Sequence, residues 1–69
     1  MEVKDSNGNL LNDGDTVILI KSLPVKGANI TLKQGTVVKN IRLTNDDEEI
    51  EGKVDKVKIG LKTKFLKKG

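Results

Sequence analysis

From residue 49 to residue 62, EIEGKVDKVKIGLK, the chain changes character at nearly every step. Ile50, Gly52 and Val54 alternate with Glu49, Glu51, Lys53 and Asp55. Beyond them Val57, Ile59, Leu61 and Phe65 alternate with Lys56, Lys58, Lys62 and Lys64. Successive side chains of a strand point to opposite faces, so this period of two predicts a hairpin with one buried face. With Asp55–Lys56 as a two-residue turn, counting outward sets Val54 against Val57, Gly52 against Ile59 and Ile50 against Leu61. The outer face pairs Glu49 with Lys62 and sets Glu51 diagonal to Lys58. It also puts Lys53 directly opposite Lys58, a like-charge pair that costs about 0.2–1 kcal/mol. A helix over 57–65 is the rival, since Val57, Leu61 and Phe65 are four apart. Gly60 and the β-branched residues count against it.

Turn residues punctuate the rest of the chain about every 8–12 positions, as in a small all-β domain. Asn7-Gly8 predicts a two-residue hairpin turn with φ > 0 at both positions. Asp13-Gly14 predicts a second turn, leading into a strand whose run Val17–Ile20 is apolar on both faces and therefore expected to be covered on both. Pro24 should end that run, because it has no N–H for a ladder. Residues 23–35 then read as a long loop with one short strand at Ile30–Leu32. In "TVVKNIRL" a bulge near Lys39–Asn40 would bring Val38 inside with Ile41 and Leu43. A single domain over 1–69 is expected, and a chain this short buries only about 60% of its unfolded surface.

Cys and His are both missing and Phe65 is the one aromatic residue, so the core must be built from Val, Ile and Leu. Disulfides and zinc held by thiolate or imidazole are thereby excluded, and no cofactor is expected. The polar N-terminus does not fit a signal peptide, and no apolar run approaches the ~20 residues of a membrane span. A cytoplasmic protein without membrane association is the expectation.

Three clusters carry candidate chemistry. Asp5, Asn7 and Asn9 fall at the first, third and fifth positions of a calcium loop. Leu10 and Thr16 then occupy the places of its Gly and Glu, so the Asn and Asp are read as turn formers. Asp13 and Asp15 lie close together, but a working acid–base pair needs one carboxyl shifted by burial or by a neighbour. Both should sit in a wet turn, and the chain is read as non-enzymatic. The third cluster is a lysine row, Lys56, Lys58, Lys62, Lys64, Lys67 and Lys68, with no acid within 56–68. Same-face strand residues are about 6.6–7 Å apart, close to phosphate spacing on an extended strand, so weak sequence-independent nucleic-acid binding is the alternative function. Two points weigh against it: the excess charge is only +3, and bases need aromatic platforms. An exposed strand edge, or the acidic run Asp46, Asp47, Glu48 and Glu49, could dock a partner protein.

Read end to end, "VKDSNGNLLNDGDTV", "IKSLPVKG", "LKQGTVVKNIRL" and "LKTKFLKK" resemble the PhnA family, small bacterial proteins named from alkylphosphonate-utilisation operons. The resemblance implies a small SH3-like antiparallel β-barrel. Family members commonly carry an N-terminal zinc ribbon with CxxC pairs, which this sequence lacks, so no zinc role is expected for it. Gly52 stands where the family often has Cys, and "DKVKIG" replaces a glycine-rich hairpin. The resemblance brings no catalytic residues with it, which leaves a binding or accessory module as the expected function.

Overall fold

The computed structural model describes residues 2–25, 29–54 and 56–69. Among the described residues eight strands follow in order: β1 (Val17–Leu19), β2 (Leu23–Val25), β3 (Ile30–Leu32), β4 (Val37–Val38), β5 (Arg42–Leu43), β6 (Glu49–Val54), β7 (Val57–Lys62) and β8 (Leu66–Lys68). A 3-10 turn, Thr63–Phe65, separates the last two. The strands form three antiparallel ladders, β4-β1-β8, β2-β3 and β5-β6-β7. The hydrogen bonding does not run continuously around the described residues, so the sheets do not close into a barrel. No described helix is long and apolar enough to cross a membrane.

The β6–β7 hairpin has the register that its alternation dictates. Ile50 faces Leu61, Gly52 faces Ile59 and Val54 faces Val57, while Glu49 faces Lys62 and Lys53 faces Lys58. The helical rival over 57–65 is therefore excluded. Lys56 takes the turn with φ +67; Asp55, the other residue of the expected turn, lies outside the described residues. Near the tip the burial weakens, and Val57 is 41% exposed.

Elsewhere the strands depart from the pattern, for identifiable reasons. The run at 17–20 is covered on one face only: Val17 and Leu19 are buried, Ile18 is half-buried and Ile20 is 38% exposed. The expected strand at Ile30–Leu32 is present, but Leu23–Val25, expected as loop, is a strand paired with it, with Pro24 opposite Thr31. A two-stranded ladder leaves one edge of β2 open, where a missing N–H removes no bond. The expected bulge at Lys39–Asn40 is a complete break. Asn40 takes φ +54, so the chain leaves one sheet at Val38 and enters another at Arg42. Even so, Val38 and Ile41 both become fully buried, and Leu43 packs against them from the margin.

The core joins Val3 and Leu11 of the N-terminal segment to Val17, Leu19, Leu32, Val38, Ile41, Ile50, Ile59, Leu61 and Leu66. One close approach within it is between β4 and β6. A Cβ built on Gly52 would overlap Val38 Cγ1 and lie 3.9 Å from Ile41 Cγ2, so Gly52 is what lets the two sheets approach. Gly52→Ala should therefore cost about 1–3 kcal/mol by overpacking. In a domain of this size, each kcal/mol lowers the melting temperature by roughly 4–8 °C. Adding Val38→Ala should recover part of that loss, read by thermal unfolding of the single and double variants.

Candidate functional site

The N-terminal cluster is a turn built around one carboxylate. Lys4 and Leu10 form an antiparallel bridge, and between them the Asp5 N–H donates to the Asn9 carbonyl (2.9 Å) and the Gly8 N–H to the Asp5 carbonyl (3.1 Å). Gly8 has φ +83 and Asn7 is not left-handed. The connection is thus a three-residue loop closed by a left-handed Gly, in place of the expected two-residue turn. Asp5 Oδ1 accepts the N–H groups of Asn7 (2.9 Å) and Asn9 (2.8 Å). Its Oδ2 accepts the Asn9 side-chain amide (3.3 Å) and the Lys68 N–H (2.7 Å). Asp5 is only 6% exposed. Burial pushes its pKa up, but the backbone N–H groups of Lys68 and Asn9, with help from the Asn9 amide and Asn7, outweigh it and hold the carboxyl below its ordinary value. These oxygens are engaged by the chain itself, and no group of three or more acids that could hold a metal forms among the described residues.

The other candidate acids also serve the backbone. Asp13 Oδ1 accepts the Leu43 N–H (2.7 Å) and Asp15 Oδ2 the Asn12 N–H (2.9 Å). In the acidic run, Asp46 Oδ1 accepts the Glu48 N–H (2.8 Å), and Glu49 pairs with Lys62 (3.3 Å).

The six lysines do not form one row. Lys58 and Lys62 lie on β7 and pair with Glu51 and Glu49, each at 3.3 Å. Lys64 sits on the 3-10 turn that interrupts the strand, and Lys67 and Lys68 belong to β8 in another sheet. The Lys68 ammonium reaches Asp15 (3.7 Å) and the Leu10 carbonyl (3.2 Å). Phe65, expected inside a strand, is half-buried on the 3-10 turn. The ammonium groups of Lys21 and Lys64 lie 4.6 and 5.1 Å from its ring centroid. Thr63 replaces it in the interior.

A different set of cations converges instead. Where β4 gives way to β5 and crosses β6 and β7, an open groove of about 1060 Å³ is lined by Lys39, Arg42, Lys53 and Lys58, with Val37 and Gly52 between them. Asp13 and Glu51 also border it. Of the four cations, only Lys58 has an ion-pair partner among the described residues. Sequence reasoning missed this grouping because Lys39 and Arg42 reach Lys53 only through the break at Asn40. The one local signal was Lys53 opposite Lys58.

A family model described as "YjdM: PhnA domain" matches residues 3–69. The chain belongs to the PhnA-domain family. It is 59% identical over 66 residues to "Protein YjdM homolog" of Haemophilus influenzae, with 96% of this chain and 52% of that protein covered. Against "Protein YjdM" of Escherichia coli K12 the identity is 55%, covering 96% of this chain and 60% of the relative. For "Protein YjdM" of Streptococcus mutans the figures are 57%, 96% and 61%. This PhnA domain thus spans a little over half the length of the curated relatives it matches. Within it, Asp5 links the first turn to β8 through the Lys68 N–H.

A carboxylate whose folded pKa is lowered contributes stability above its unfolded value, ~3.9, and loses that contribution as pH falls through the folded value. Asp5→Ala should cost about 3 kcal/mol near neutral pH, because several N–H groups lose a charged acceptor. Asp5→Asn should flatten the stability profile below about pH 4. Urea unfolding of both variants across acid pH measures this, and an unchanged profile would remove the assignment.

Proposed function

We propose that this PhnA domain is a non-enzymatic binding or accessory module, acting in the cytoplasm in the phosphonate context that the family's operon name suggests. One observation carries the reading: the acids that could have formed a catalytic pair accept backbone N–H groups, while four cations, only one of them ion-paired among the described residues, gather around an open groove. A general acid or base needs a carboxyl free to exchange protons with a substrate. Asp15 instead holds its own turn through the Asn12 N–H, and Asp13 ties that turn to β5 through the Leu43 N–H.

We read the architecture as SH3-like. The chain passes between its two three-stranded sheets at Asn40 and again at the 3-10 turn before β8. Such corners are how small orthogonally packed β-structures turn from one sheet to the next. The reading of the chain as one domain fits a core that draws on both ends.

Nucleic-acid binding through the C-terminal lysines is the second reading. Lys56, Lys64 and Lys67 are exposed and form no ion pair among the described residues. A salt titration against labelled single-stranded RNA and DNA separates the two readings. The module reading expects little affinity even at low salt, whereas a backbone binder loses affinity steeply as salt rises. Purified protein should also release no phosphate from alkylphosphonates above a protein-free blank. Sustained release would overturn the non-enzymatic assignment.

A further inference from the structure

Resting on the module reading, we infer that the groove bounded by Lys39, Arg42, Lys53 and Lys58 receives an extended acidic polypeptide segment of a partner protein. Four cations face two carboxylates there, so positive charge outnumbers negative in the lining. Asp13 holds the Leu43 N–H (2.7 Å) and Glu51 is already paired with Lys58 (3.3 Å).

The cross-strand pair Lys53–Lys58 sharpens this. Like charges directly opposite each other weaken a hairpin. Glu51 relieves Lys58 in part but leaves Lys53 without an acid among the described residues. An incoming carboxylate would remove that repulsion, so the pair favours a bound anionic ligand over the empty groove.

The remaining lining favours a polypeptide over a nucleic acid. No aromatic side chain borders the groove, so bases would find no stacking platform. An apolar residue is on hand as well, since Val37 is 50% exposed in the groove wall. β4, which carries Val37, is an edge strand of its sheet. Main-chain groups of an edge are the contacts that an extended peptide uses, with side chains alternating into the surface beside it.

The test is an amide chemical-shift titration of the intact chain with a capped peptide of about six residues, rich in Glu and Asp with a central Leu, ~20 Å when extended. A Lys-rich peptide and oligothymidylate serve as comparison probes. The acidic peptide should shift the amides of Val37, Lys39, Asn40, Arg42, Gly52, Lys53 and Lys58, with affinity falling as ionic strength rises. The triple variant Lys39→Glu, Arg42→Glu, Lys53→Glu should weaken it about tenfold or more. The control Lys64→Glu, Lys67→Glu, outside the groove, should leave it nearly unchanged. The inference fails if the acidic peptide does not bind at low salt, or if the shifts map to Lys62–Lys68. It fails equally if oligothymidylate occupies the groove more tightly. Self-association abolished by Asp46→Lys with Asp47→Lys would place a second copy there and also overturn it. Should the triple variant not fold, the shift map of the unaltered protein still decides. Turnover of a phosphonate would remove the module reading instead, so the two failures are distinguishable.

Discussion

The Asp5 carboxylate is the contact on which the rest of this fold depends. It closes the first turn through Asn7 and Asn9 and captures the Lys68 N–H sixty-three residues away. Next to it the Ser6 N–H donates to the Leu66 carbonyl (2.8 Å). The N-terminal segment is thereby fixed against β8, and its Val3 and Leu11 enter the core beside Leu66. An anionic acceptor with several N–H donors is among the stronger hydrogen-bonding arrangements available to a protein. A chain without cysteines and with a single aromatic residue has few other means of joining its ends.

A second constraint sits where β4 meets β6. Gly52 lets β4 cross β6 at close range, and Asn40 takes the left-handed backbone that separates β4 from β5. These two local features decide where the surface cations go. Lys39 follows β4, Arg42 begins the useful part of β5, and Lys53 lies one step beyond Gly52. The groove is a consequence of how the sheets cross, and its charge follows from which residues that crossing leaves outside. Binding through such a surface depends on geometry fixed by the core, so core packing and recognition are coupled even though no groove cation is buried.

The C-terminal hairpin was legible in the sequence down to its register. Both strands lie in one contiguous segment, a two-residue turn fixes the count, and a slip by one residue would turn every apolar side chain outward. The turns at Gly8 and Gly14 were legible for a similar reason, because positive φ selects glycine locally. Pro24 and Phe65 misled. The proline reads as a breaker unless one knows that its strand has an open edge, and the 3-10 turn moves Phe65 out of the alternation to which its position assigns it.

The amino-acid order by itself determined the β-class, the pairing of β6 with β7 and the family, since these rest on local periodicity and on contiguous runs of residues. Only the tertiary structure decided that the C-terminal lysines are divided between two sheets, that Asp5 is an internal tie, and that Lys39, Arg42, Lys53 and Lys58 share a groove. Each of these depends on which distant strands meet. That outcome is set by the packing of Val38 over Gly52 and by the bend at Asn40, and no short-range pattern encodes it.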